Sequence, residues 1–143
     1  MTIPARLSFV TLAVRDLPRM AAFYRSLGWP ESARNNEHHV AFQCGGAVLG
    51  LFGAGRFEGR LGPAPAPGAF KGFTLALNLE SAAEVDRVHG LLTQVEGATV
   101  HGDPEDLFFG GRGFTFEDPE GNQWDVLWAD GTSFDERGGL IFP

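Results

Sequence analysis

Apolar and polar positions along the chain switch between a two-residue period and a helical period, and the switch happens twice. ARLSFVTLAV (5–14) is rich in β-branched and apolar residues, the composition of a strand, and it runs into Asp16. Asp16 suits a helix N-cap, with Pro18 tolerated in the first turn. Met20, Phe23, Tyr24 and Leu27 follow at helical spacing, and Gly28 can end the helix. About 64 residues later the pattern recurs. GFTLALNLE (72–80) reads as a strand and SAAE (81–84) as a capping box. Val85, Val88, Leu92 and Val95 form an apolar stripe that Gly97 closes. Short strand-like runs follow each helix: VAFQC (40–44) and AVLGLF (47–52) in the first half, TVHG (99–102), GFTFED (113–118) and QWDVLWA (123–129) in the second. The expectation is an α+β fold with a βαβββ pattern written twice. Alone, each half would leave one sheet face bare; side by side, two halves enclose a cleft.

The boundaries follow. A first module spans about 5–52, a linker rich in Pro, Gly and Ala spans about 53–71, a second module spans about 72–130, and a tail covers 131–143. At 143 residues and 43% hydrophobic, the chain fits one domain built from two small modules. Cys44 is the only cysteine, which excludes an internal disulfide and a cysteine zinc cluster. MTIPARLSF lacks the apolar run of a signal peptide, and no stretch approaches the length of a membrane span, so a cytoplasmic protein is expected. Charge is uneven: residues 1–70 carry net +3 and residues 71–143 net −10. That balance disfavours nucleic acid as a partner and tolerates neutral or cationic small molecules.

Two segments carry a resemblance. FVTLAVRDLPRMAAFYRSLGW (9–29) looks like the opening of vicinal oxygen chelate proteins, and DPEGNQWDVLW (118–128) resembles their closing turn and last strand. The superfamily includes glyoxalase I, extradiol dioxygenases, fosfomycin-resistance enzymes and bleomycin-binding resistance proteins. The resemblance implies a curved mixed sheet of paired βαβββ modules around a cleft, and a homodimer. In metal-dependent members it also implies a divalent ion held by His, Glu or Gln from the first and last strands of each module. Matching the motifs puts those four positions on Phe9, Gly50, Thr74 and Asp125.

Strand alternation agrees with that placement. Val10, Leu12 and Val14 would pack on the helix and leave Phe9, Thr11 and Ala13 toward the cleft. Trp124, Val126 and Trp128 would do the same and leave Asp125 inward. Phe9 has no lone pair, Gly50 has no side chain, and a neutral Thr74 hydroxyl is a poor transition-metal ligand. No metal and no cofactor are therefore expected. The adjacent His38 and His39 would point to opposite faces of a strand, and with His89 and His101 they read as surface or rim histidines.

The substituted positions instead line a cleft with apolar and aromatic groups. Phe9, Thr11, Phe52, Thr74 and Asp125 form its floor, with Phe108 and Phe109 in a Gly-rich loop as a lid or wall. Arg112 is expected either to bond a ligand or to pair with an acidic neighbour. A charged Asp125 on such a floor needs a partner, for which Arg112, Thr11, Thr74 and a cationic or hydroxyl-bearing ligand are the candidates. The expected function is a metal-free binder of a bulky, partly aromatic small molecule such as an antibiotic, resembling the bleomycin-resistance type. The alternatives are a glyoxalase- or dioxygenase-like enzyme, metal-dependent through other ligands or using Asp125 as acid–base group, and an interaction dimer with a vestigial cleft.

Overall fold

A computed structural model describes residues 2–57, 59, 66 and 68–143. Of the linker expected over 53–71, residues 58, 60–65 and 67 lie outside the described residues. The chain divides into two compact units, residues 1–64 with 136–139 and residues 65–135 with 140–143. Among the described residues no helix is long and apolar enough to cross a membrane.

The first unit holds β1 (Phe9–Val14), α1 (Leu17–Ser26), β2 (His39–Cys44) and β3 (Ala47–Gly53), followed by a 3-10 turn at Ala54–Arg56. The sheet order is β1-β3-β2, with β1 parallel and β2 antiparallel to β3. β1 begins four residues later than the apolar run at Ala5, because its partner β3 offers nothing to pair before Ala47. Asp16 caps α1 as expected, its Oδ1 accepting from the Arg19 N–H at 3.0 Å. Gly28 leaves the helix with a φ of +80°, a conformation that favours glycine.

The outermost strand expected in this half is reduced to one bridge, Glu31 with Phe42. The Gln43 N–H donates to the Pro30 carbonyl and the Ser32 N–H to the Ala41 carbonyl, both at 2.8 Å. Pro30 has no N–H to continue the ladder, so the edge stops there. Here βαβββ is thus βαββ plus a bridge.

The second unit carries the full pattern: β4 (Leu75–Asn78), α2 (Ala82–Leu92), β5 (Thr99–Leu107), β6 (Gly111–Glu117) and β7 (Gln123–Ala129). The order is β4-β7-β6-β5, with β4 parallel to β7 and the other pairs antiparallel. A two-stranded ribbon, β8 (Ser133–Phe134) with β9 (Leu140–Ile141), occupies the expected tail. Only half of the capping box forms as described. Ser81 Oγ accepts from the Glu84 N–H at 3.2 Å, while the Glu84 carboxylate accepts from Arg87 at 3.1 Å. The strand expected at TVHG (99–102) continues through DPEDL (103–107) as β5, whose register shifts between His101 and Glu105. Gly102 supplies a φ of +67° at that irregularity, which also accommodates Pro104 within a strand.

Each sheet buries one face under its own helix. In the first unit Leu12, Val14, Val40, Phe42, Leu49 and Leu51 are buried together with Met20, Phe23 and Tyr24 of α1, which packs on β2 and β3. Tyr24 is fully buried and centres an aromatic cluster with Phe23, Trp29 and Phe42. In the second unit Phe114, Phe116, Trp124 and Val126 lie under Val85 and Leu92 of α2. Each such side chain contributes about 1.5–3 kcal/mol by its removal from water. The α+β architecture with mixed sheets is therefore present, and in both units the opposite sheet face is left to other work.

Candidate functional site

The turn between β6 and β7 sets what the second sheet presents. Asp118 is almost wholly buried. Its Oδ1 accepts from the backbone N–H groups of Glu120 at 3.0 Å and Asn122 at 2.9 Å. Its Oδ2 accepts from the Asn122 side-chain amide at 2.7 Å. Lys71 closes the turn from outside, donating to Asn122 Oδ1 at 2.8 Å and to the Glu120 carbonyl at 3.2 Å. This locked turn pairs Glu117 with Gln123 and, two residues along each strand, Thr115 with Asp125.

Asp125 therefore stands on the face away from α2, beside Thr115 on β6 and Thr74 just before β4. Thr74 Oγ1 donates to its Oδ2 at 2.9 Å and Thr115 Oγ1 donates to its Oδ1 at 3.1 Å. Both carboxylate oxygens thus accept a hydroxyl proton, which answers the need of a charged acid on this surface for partners. The same face carries a groove of about 440 Å³ lined by His101, Glu105, Phe109, Thr115, Asp125 and Leu127 among others. No Lys or Arg lines it among the described residues. At one side His101 Nε2 lies 2.7 Å from Glu117 Oε2.

Arg112 is not the partner of Asp125. It occupies an even position on β6, like Phe114 and Phe116, and so faces α2. Its guanidinium bonds Asp86 of α2 at 2.8 Å and Asp106 of β5 at 3.0 Å. The bond to Asp86 and then the bond to Asp106 hold it charged even more firmly than an ordinary arginine. Phe109 borders the groove, whereas Phe108 is 99% exposed at the tip of the β5–β6 turn. The two rings meet edge to face at 5.2 Å.

In the first unit the face away from α1 carries Phe9, Thr11 and Ala13 of β1, Gly50 and Phe52 of β3, and His39 and Ala41 of β2. The Phe9 ring lies over Gly50, close enough that a Cβ on Gly50 would come within 3.2 Å of it. Phe52 flanks the same spot at 3.5 Å. His39 is therefore not a rim residue: its ring packs against Phe52 with centroids 4.1 Å apart. His38, by contrast, pairs with Glu37 at 3.2 Å in the open. His89 bonds the Gly102 carbonyl at 2.9 Å and packs edge-on to Phe114, a structural role beside the irregularity in β5.

The structure thus gathers Phe9, Thr11 and Phe52 on one sheet, and Thr74, Asp125 and Phe109 on the other. Sequence reasoning missed Thr115, His39 and the His101–Glu117 pair. Thr115 was within reach: once DPEGN is taken as a hairpin turn, position 115 must face 125.

The divalent ion implied by the resemblance does not fit these residues. An aromatic ring fills the space over Gly50, and Thr74 directs its proton to Asp125. Among the described residues, no three His, Cys, Asp or Glu side chains are grouped to hold an ion.

Comparison with known proteins bears on fold and descent together. Solved structures of similar shape include a glyoxalase-related enzyme from Fulvimarina pelagi, at a TM-score of 0.82 and 23% identity over 97% of this chain and 99% of that one. A lactoylglutathione lyase from Agrobacterium tumefaciens superposes at 0.69 with 25% identity, over 88% of this chain and 95% of that one. A glyoxalase/bleomycin resistance protein/dioxygenase from Nocardioides gives 0.72 and 24%, over 92% and 88%. No curated protein shows significant similarity to the chain. Residues 6–126, from just before β1 to the middle of β7, match the sequence profile of one family. With its paired sheet-and-helix units and the closing turn that presents Asp125, the chain belongs to the glyoxalase/bleomycin resistance protein/dioxygenase superfamily.

Proposed function

We propose that this protein binds a bulky, partly aromatic small molecule without a metal ion, in the manner of a sequestering resistance protein, and that an amine-bearing antibiotic is the class of ligand it takes. The observation that carries the reading is the Phe9 ring seated on Gly50. Two positions that would supply ligands to an ion supply an aromatic surface instead. Support comes also from the groove on the second sheet. Asp125, Glu105 and Asp103 line it with no Lys or Arg, a surface suited to an ammonium group and to hydroxyls. Titration with a panel of amine-bearing aromatic antibiotics, bleomycin among them, tests the reading through tryptophan fluorescence and calorimetry. A saturable response is expected; a flat response across the panel sinks it. Near-stoichiometric zinc, nickel, iron or manganese in protein purified without chelator would also count against it.

A second reading, an enzyme with Asp125 as acid–base group, is favoured by the two hydroxyls that hold this carboxylate at the groove. The likeness to a lactoylglutathione lyase lends it weight. It requires that Asp125→Asn abolish turnover while binding survives.

A further inference from the structure

His39 opens β2 on the open face of the first sheet, opposite Phe52 on β3. The rings are tilted by 35° with centroids 4.1 Å apart. The Nε2 atom of His39 is buried and has no hydrogen-bond partner, the one buried side-chain nitrogen or oxygen among the described residues in that position. The other histidines each have a partner: Glu37 for His38, the Gly102 carbonyl for His89, and Glu117 for His101. Folded chains pair about nine in ten or more of their buried polar groups, because an unpaired one is unfavourable. A phenylalanine would stack on Phe52 without leaving a nitrogen unsatisfied. Packing therefore does not explain this imidazole. The same face presents Ala41 next along β2, Gly50 and the half-exposed ring of Phe9, with the Thr11 hydroxyl beyond Gly50 on β1.

We infer that Nε2 of His39 is the hydrogen-bonding contact for the edge of a planar nitrogen heterocycle that seats against Phe9 and Phe52. The inference rests on the ligand-binding reading above and names the chemistry of one part of the ligand. An imidazole nitrogen bonds in its own ring plane. The aromatic rings of Phe9 and Phe52 on the same face favour a flat partner, whose rim can carry the donor or acceptor into the imidazole plane. Because Nε2 is covered, seating the heterocycle requires a side chain beside it to move.

Benzimidazole is a suitable probe, a flat bicycle with one ring donor and one ring acceptor. Titrated into the intact protein, it is expected to shift the His39 ring nitrogens saturably in long-range proton–nitrogen spectra. His39→Phe is expected to weaken benzimidazole at least about tenfold, the worth of one hydrogen bond to a buried group. The same variant, freed of an unsatisfied nitrogen, is expected to raise the Tm of the unliganded protein by about 2 °C or more. His39→Gln, which keeps a donor and an acceptor, is expected to retain part of the affinity. The absence of a saturable His39 shift, or a His39→Phe protein that binds benzimidazole as the parent does, would overturn the inference. So would a Tm lowered in both His39→Phe and His39→Leu. Failure of the broader reading shows differently, as a flat tryptophan response across the antibiotic panel. Failure of this inference alone shows as a tryptophan response that His39→Phe leaves unchanged.

Discussion

Thr115 Oγ1 lies 3.1 Å from Asp125 Oδ1, on the strand paired with the one that carries the acid. Together with Thr74 at 2.9 Å on the other oxygen, it makes Asp125 an acceptor held from both sides rather than an isolated charge. Thr115→Val removes one donor to a partly exposed carboxylate and is expected to cost about 1 kcal/mol. Thr74→Val should cost a similar amount. The double variant should cost more than the sum, because the acid then loses both donors. Urea midpoints of the four proteins measure this; strict additivity would show that the two hydroxyls act on Asp125 independently of each other.

Glycines on the two sheets should respond differently to a methyl group. At Gly50 the obstacle is the Phe9 ring at 3.2 Å, and that ring is half exposed and can swing away. Gly50→Ala should fold with a loss of about 1 kcal/mol or less. At Gly113 the obstacle is the Val126 carbonyl oxygen at 2.9 Å, a backbone atom in the middle of the β6–β7 ladder. Gly113→Ala should cost about 3 kcal/mol or fail to fold. Equal thermal stabilities for the two variants would contradict the account.

Arg112 ties β5 and β6 to α2 through Asp106 and Asp86. Arg112→Met should lower thermal stability modestly, by a margin that shrinks in high salt, since both carboxylates are largely exposed. Ligand affinity at the groove should hold, because this side chain faces the helix. A large loss of affinity with little loss of stability would return Arg112 to the ligand site.

Arg25 and Glu31 join through two bonds of 2.8 Å, and Asn35 adds a third to Glu31 at 2.8 Å. The Arg25 bond first, then the Asn35 bond, lower the Glu31 carboxyl from 4.5 to about 2. A lowered folded-state value means that the contribution is fully present above the unfolded-state value. It is lost as pH falls from about 4.5 through about 2. The stability gap between the parent and Glu31→Gln should therefore be constant above pH about 5 and narrow below pH about 4. Denaturant titrations across that range check it; a gap that widens toward acid would refute the assignment.

Much of this was legible in the chain. Asp16, Gly28 and Ser81 mark helix ends by local chemistry that depends on little else, and they sit where the sequence puts them. The positions Phe9, Thr74 and Asp125 came from the motif match, and strand alternation agrees with their side and with that of Thr11. What escaped depended on pairing. The start of β1 is fixed by where β3 begins, and the loss of the outer strand by Pro30 opposite β2. The extension of β5 through Pro104 depends on a register shift that composition does not reveal. Of the two roles expected for Arg112, the ion pair with acidic neighbours is the one present; that these are Asp86 and Asp106 rather than Asp125 follows from its parity on β6. His39 was passed over because the chain does not show which ring it would meet across the ladder.

The DPEGN turn holds one further consequence. Asp118 binds Glu120 and Asn122 so tightly that the number of residues between Glu117 and Gln123 is fixed. A strand has only two sides. Losing or gaining a single residue there would send Asp125 into the core and bring Trp124 and Val126 out to the groove. The loop makes no contact with the carboxylate, yet it decides by counting whether the groove is acidic or greasy. The length of this turn therefore sets the chemical character of the groove, and a change to it would recast the whole lining before any lining residue had been replaced.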